Sequence, residues 1–391
     1  LPEKLTVTAT ANAATPGGRR RAEVTESFAT AANGALPQLA DMQKIAPRPG
    51  EERLVMASPM IFSRDPAVGP GQVREMVEKL RQGHYTELHT FLIGNRAWKS
   101  GKLGNPLLRE THPDWDLFAV LREETAKAGI RFGGVICLIP EGAEKPMGIL
   151  AEHPEWAMRD RSGNRIGWMD PAVPEVRAYR VRDIVEGVRR YRLDNIDIDY
   201  GRLAAGPSDR GAELYQAEFG KDPRQFAYGS PEYRHWHAWT GGRLTQLIGE
   251  IRAALREASP QTDLSAYVQG TKYSGDAAWV ENHQPFGEWL RRGYLTRIYP
   301  TGYVYDMLQY RSWIKRQIDY CRAANPAIPV LITIGVSSSH GRLETVEELI
   351  EQINTITVMQ GDGAAFFRWI GLEPFNAALG ASRYAAPPPA Q

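Results

Sequence analysis

Asp197, Asp199, Tyr200 and Arg202 fall close together in LDNIDIDYGRL, residues 193–203. Two carboxylates, a phenol and a guanidinium at this spacing can hold a carboxylate ionised as a nucleophile, as a base or against a developing positive charge, because an adjacent cation lowers its pKa. Asn195, Asp197 and Asp199 alternate with Ile196 and Ile198. That period predicts a strand with its polar residues on one face and its isoleucines on the other. Asp199 then stands at the strand's carboxyl end, and Asp197 lies roughly 7 Å deeper. A buried carboxylate is costly unless it has a partner or a task. For Asp197 a structural role, held by Arg and Tyr groups, is the leading reading, with catalysis as the alternative.

Eight short apolar runs must position these residues: LVMASPMIF, YTELHTFLI, IRFGGVICLI, NIDIDY, DLSAYV, LTRIYP, PVLITIG and AAFFRWI. Amphipathic segments with helical spacing separate them, among them PEVRAYRVRDIVEGVRRY and TVEELIEQINTITVM. The alternation predicts a single-domain α/β fold over residues 51–380, a (β/α)8 TIM barrel, with a doubly wound open sheet as the alternative. Residues 1–50 and the Pro/Ala-rich tail 381–391 lack an apolar period and read as extended or disordered.

In a barrel the chemistry gathers at the carboxyl ends of the strands. The predicted substrate-binding residues there are Asn95, Arg96 and Trp98 after the second run, Tyr200 and Arg202 after the fourth, Tyr273 and Asp276 after the fifth, Tyr303 after the sixth and Trp369 in the eighth. Flat aromatic rings around such a mouth suit stacking on sugars, with Trp98 and Trp369 as the leading platforms, although rings near loop starts also cap cores. Hydrolysis of a glycosidic bond calls for a second carboxylate. Asp306 ranks first, flanked by Tyr303 and Tyr305, with a helix N-cap as its alternative role. Asp276, Glu281 and Glu373 follow.

Composition excludes other classes. Lys and Arg number 47 against 46 Asp and Glu, which leaves no basic surface for nucleic acid, and no apolar run is long enough to span a membrane. Cys137 and Cys321 are the only cysteines, so there is no disulfide framework. His235 and His237 sit at i and i+2 on a predicted helix and face apart, and His89 and His340 stand alone, so no metal site and no cofactor is expected. The polar, Ala-rich start of the chain reads as an exported protein's. Oligomeric state is left open.

The longer stretch HPEWAMRDRSGNRIGWMDPAVPEVRAYRVRDIVEGVRRYRLDNIDIDYGRL resembles the glycosyl-hydrolase-like 10 family. The matching positions are His153, Pro154, Trp156, Gly163, Asp170, Pro171, Pro174, Glu175, Val176, Arg177, Asp199, Tyr200 and Arg202. The resemblance implies a TIM barrel acting on polysaccharide, with Asp199 in the place of the family's proposed catalytic acid residue. DNIDIDYG is also similar to the D-x-x-D-x-D-x-E strand of glycoside hydrolase family 18, except that Gly201 stands where that pattern closes on its proton-donating Glu. The expectation is a glycoside hydrolase using Asp199, with Asp306 or another loop carboxylate and Asp197 as further catalytic candidates. A carbohydrate-binding barrel without catalysis is the alternative, and a chitinase-like or metal-dependent deacetylase barrel a minor one.

Overall fold

Each predicted apolar run contains a strand. They are Glu52–Ala57 (β1), Glu87–Ile93 (β2), Arg131–Cys137 (β3), Asn195–Asp199 (β4), Asp263–Val268 (β5), Arg297–Pro300 (β6), Leu331–Gly335 (β7) and Gly363–Phe367 (β8). The computed structural model describes residues 4–15, 18–29, 45–93, 112, 114–142, 145–203, 205–271 and 283–388. The eight strands pair in parallel in the order β6-β5-β4-β3-β2-β1-β8-β7. Isolated parallel bridges from Ile298 to Val330 and from Thr301 to Thr333 join β6 to β7. A nearly closed TIM barrel results, and the open sheet is excluded.

The helices follow their sequence signals. Pro174–Tyr191 opens on a proline at its first turn, where the missing N–H is no loss. Val346–Val358 opens on a capping box made by Thr345 and Glu348. Between strands and helices lies one large apolar layer that includes Ile196, Ile198, Leu264, Ile298 and Phe366 from the barrel's outer face, with Ile184, Ile248 and Ile314 from helices. The isoleucines of β4 thus face outward, as their alternation predicts. Inside, Leu54, Met56, Tyr299, Leu331 and Ala365 fill part of the barrel.

The barrel floor is charged. Glu52, Glu87, Arg131, Asp263 and Arg297 each open a strand. Arg297 pairs with Glu52 and Glu87, Arg131 Nη2 meets Asp263 Oδ2 at 2.5 Å, and Arg131 Nη1 lies 3.6 Å from Glu87. Burial pushes the Glu52 carboxyl up to about 7, whereas His89 and Arg297 overcome burial and hold Glu87 below the usual carboxylate range. This interlocked floor fixes the amino ends of the strands and so the rigidity of the opposite, open end.

The chain divides into two compact units, Leu1–Lys44 and Ile45–Gln391. Within the first, Lys4–Thr15 pairs antiparallel with Gly18–Ala29, although this stretch carries no apolar period. Within the second, Arg383 and Tyr384 of the expected tail are buried. Arg383 Nη2 donates to Glu51 Oε2 at 2.7 Å, and Arg53 stacks 3.9 Å above the Tyr384 ring.

Candidate active site

Strand β4 delivers its polar face to the barrel interior. Asn195 Nδ2 donates to Tyr299 Oη at 2.9 Å, and Asp197 Oδ2 faces His89 Nδ1 at 3.5 Å. Asp197 is 0 % exposed and lies too deep to touch a polymer. Asp199 ends the strand, with 15 % of its side chain open to solvent.

The turn after β4 builds a guanidinium over the carboxylate. Tyr200 takes a left-handed backbone (φ 50°), unfavourable for a residue with a Cβ. Its amide donates to Asp199 Oδ1 at 2.7 Å, and the reversal folds Arg202 back, 3.9 Å above the Tyr200 ring and 3.7 Å from Asp199 Oδ1. Leu203 then exchanges backbone hydrogen bonds with His283, which pins the loop. Gly201 has no room for a side chain, because a Cβ there would lie 2.9 Å from Ile198 Cγ2. The acid of the chitinase-type pattern is therefore absent, and the packing leaves no space for one.

One electrostatic expectation is reversed. Arg202 was expected to depress the Asp199 pKa, but loss of solvent outweighs the guanidinium and the Tyr200 amide, and the carboxyl is pushed up to about 6. Asp197, below it, adds to the rise. Such a group can carry a proton near neutral pH and suits a general acid better than a permanently ionised base.

Around the mouth stand partly exposed rings. Tyr267 and Tyr303 lie 6.0 Å apart, Tyr303 is 5.9 Å from Phe367 and 5.7 Å from His340, and Trp168 meets the edge of Tyr200 at 6.2 Å. Burial pushes the Tyr267 phenol up to about 12 and raises Tyr303 as well, so both remain hydroxyl donors. Sequence reasoning named Tyr303 but missed Tyr267, Trp168 and Phe367. Tyr267 could have been found, because it shares the inward phase of β5 with Ser265, the register partner of Asp197.

Other candidates lie elsewhere. Asp306 is exposed and caps the helix Met307–Ala324, its Oδ1 accepting from the Gln309 amide at 2.8 Å. Asp306→Asn should keep both cap and activity, while Asp306→Ala should cost about 1 kcal/mol of stability with activity intact, as read by melting and product assays. Trp369 was expected to continue the alternation of β8, but the strand stops at Phe367 and Arg368 caps a helix that starts at Trp369. The period changes there from two to 3.6, and Trp369 is 4 % exposed in the outer core. It borders a cavity of about 380 Å³ with Met60, Phe62, Met76 and Lys79, not the rings around Tyr303. Glu373 sits on that side too, paired with Lys79 at 2.8 Å. Asn95, Arg96, Trp98, Tyr273, Asp276 and Glu281 lie outside the described residues. Among the described residues, no cluster of three or more His, Cys, Asp or Glu could hold a metal ion, and no helix is long and apolar enough to cross a membrane.

The family model described as glycosyl hydrolase-like 10 matches residues 141–340, half of the chain. The chain belongs to this family. Among solved structures, the PgaB (BpsB) glycoside hydrolase domain from Bordetella bronchiseptica is similar, with TM-score 0.60 and 11% identity over 84% of this chain and 98% of that one. The catalytic domain of a β-amylase from Paenibacillus polymyxa matches with TM-score 0.56 and 10% identity, covering 84% and 94%. A β-galactosidase from Marinomonas ef1 matches with TM-score 0.56 and 12% identity, covering 81% and 54%. At these identities the likeness is one of fold. No curated protein sequence matches.

Much of the glycosyl hydrolase-like 10 pattern scaffolds the β4 loop. His153 and Trp156 stack at 3.9 Å, and Gly163 turns a small hairpin with φ 83°. That hairpin carries Trp168 to Tyr200. Asp170, fully buried, accepts from the Ala172 amide and from the amide and hydroxyl of Ser208, tying the β3 insertion to the loop that holds Arg202. Arg177 Nη1 donates to the carbonyls of Pro171 and Ala172 and fixes the same corner.

Proposed function

We propose that this protein hydrolyses glycosidic bonds of a polysaccharide or oligosaccharide, with Asp199 as the proton-donating carboxyl. The observation that carries this reading is a desolvated carboxyl, raised to about 6, at the open end of β4 among partly exposed rings. Asp199 protonates the glycosidic oxygen as its bond to the anomeric carbon breaks, and a water, directly or after a glycosyl-enzyme ester, supplies the new oxygen at that carbon and gives its proton to a carboxylate. Arg202 Nη1 makes an ion pair with Asp199 Oδ1 at 3.7 Å but no hydrogen bond among the described residues, so its N–H can turn to a substrate oxygen beside Asp199. Tyr267, Tyr303 and Phe367 offer stacking faces and hydroxyl donors. The second carboxylate belongs to the loop after β5, Asp276 or Glu281. A separation from Asp199 of about 5–5.5 Å makes the enzyme retaining, and one of about 6.5–9.5 Å inverting.

The sign of the pH dependence tests the role. A donor must be protonated, so kcat/KM should fall as pH rises through about 6. A rise through that value instead makes Asp199 a base or nucleophile. Product analysis after incubation with a panel of defined polysaccharides identifies the substrate. A carbohydrate-binding barrel without turnover is the second reading, favoured by the capping role of Asp306. Saturable binding of a glycan that leaves its chain length unchanged would select that reading.

A further inference from the structure

His89 sits in the barrel interior directly beneath the proposed site. It is 0 % exposed, and its Nε2 lies 2.8 Å from Glu87 Oε1. Gly133 on β3 makes room for the ring, since a Cβ there would come within 2.4 Å of Nε2. On its other side Nδ1 points at Asp197 Oδ2 across 3.5 Å, just too far for a well-formed hydrogen bond. Neither Asp197 oxygen has a hydrogen-bond partner among the described residues. A fully buried carboxylate with no donor stays charged only beside a cation.

We propose that His89 is a positioning residue: clamped by Glu87, its ring supplies the cation that keeps Asp197 ionised under Asp199, and so holds the proton on Asp199. The inference rests on the assignment of Asp199 as the proton donor.

Among the described residues, the surroundings leave this task to His89. Asp197 is flanked by Val135 on β3 and Ser265 on β5 and shares the field of Tyr299 from β6. Asn195 below it is engaged with Tyr299 and Ser265. The guanidiniums of Arg297 and Arg131 are committed to Glu52, Glu87 and Asp263 on the floor. Above, Asp199 faces Arg202 and Tyr200 from its own loop, Cys137 from β3, Tyr267 from β5 and Tyr303 after β6. Burial alone would favour a neutral His89 ring, but Glu87 and Asp197 outweigh it and raise its pKa.

The test follows single side chains by NMR in the whole protein, with ¹⁵N-labelled histidine and ¹³C-labelled aspartate, through a pH titration of wild type, His89→Gln, Asp197→Asn and the double variant. In wild type both His89 nitrogens should stay protonated above pH 7. Without His89, Asp197 takes up a proton and its repulsion of Asp199 vanishes. The Asp199 titration should therefore drop in either single variant and no further in the double. A neutral His89 ring at pH 7, an Asp199 titration unmoved by His89→Gln, or shifts that add in the double variant would each overturn the proposal. Should His89→Gln not fold, Asp197→Asn decides, because it must lower the His89 titration, and an unchanged one refutes the coupling. These signals do not depend on turnover, so a protein that hydrolyses nothing still gives an answer. Where turnover is present, the alkaline limb of kcat/KM should shift with the Asp199 signal.

Discussion

Asp199→Asn should abolish turnover and stabilise the fold at the same time. The amide cannot donate a proton to a departing oxygen, a role that contributes about 10²- to 10⁴-fold in rate, so product formation should fall by at least that range. Stability moves the other way. The folded carboxyl is raised from 3.8 to about 6, so its ionised form is disfavoured by the fold. The penalty is nil below about pH 4, grows between 4 and 6 and is complete above 6. At pH 8 the neutral isostere should therefore gain up to about 3 kcal/mol, at about 1.4 kcal/mol per unit, and less after relaxation. Urea titrations at pH 8 and pH 4 check the sign, because the gain must shrink at the lower pH. Wild-type turnover in the variant would remove Asp199 from the chemistry.

Arg297→Ala should be the most destabilising single change on the barrel floor. It removes the cation shared by Glu52 and Glu87, the latter 1 % exposed, and leaves Arg131 and His89 against them and Asp263. Breaking a buried pair from one side costs about 3–5 kcal/mol, because the remaining charges lose their partner without regaining water. The freed carboxylates can relieve the strain only by taking up protons, so the loss should be larger at pH 8 than at pH 5. Denaturation at the two pH values measures it. A loss under about 1 kcal/mol would mean that Arg131 and His89 neutralise the floor without Arg297.

The barrel was legible because its strands obey a local rule. NIDID and DLSAYV carry their own period, and the runs around them needed no distant information. The floor was not legible residue by residue, since Glu87 and Arg297 are 210 positions apart and no local pattern pairs them. A signal was nevertheless present: five of the eight strands begin on a charged residue, with both signs represented. At the site, Asp199, Tyr200 and Arg202 were found together because one short turn holds them. The pKa direction was missed because desolvation depends on what packs around the carboxyl, and the local sequence shows the adjacent cation Arg202 but not that packing. Trp369 was misplaced by extending a strand period across a helix cap.

The contacts of Arg383 and Tyr384 also order events in time. Glu51, where β1 begins, takes its buried partner Arg383 from 332 positions further along the chain, and Arg53 donates to the Ala386 carbonyl 333 positions on. At about 5–20 residues per second of synthesis, the first strand waits roughly 15–65 s for the side chains that complete it. During that interval the nascent barrel holds an open seam between its earliest and latest segments. A chaperone that shields the β1 edge would matter most before β8 is made, because β8 is the strand that pairs with it, and a ribosome stalled before Gly363 would hold a barrel that cannot yet shut.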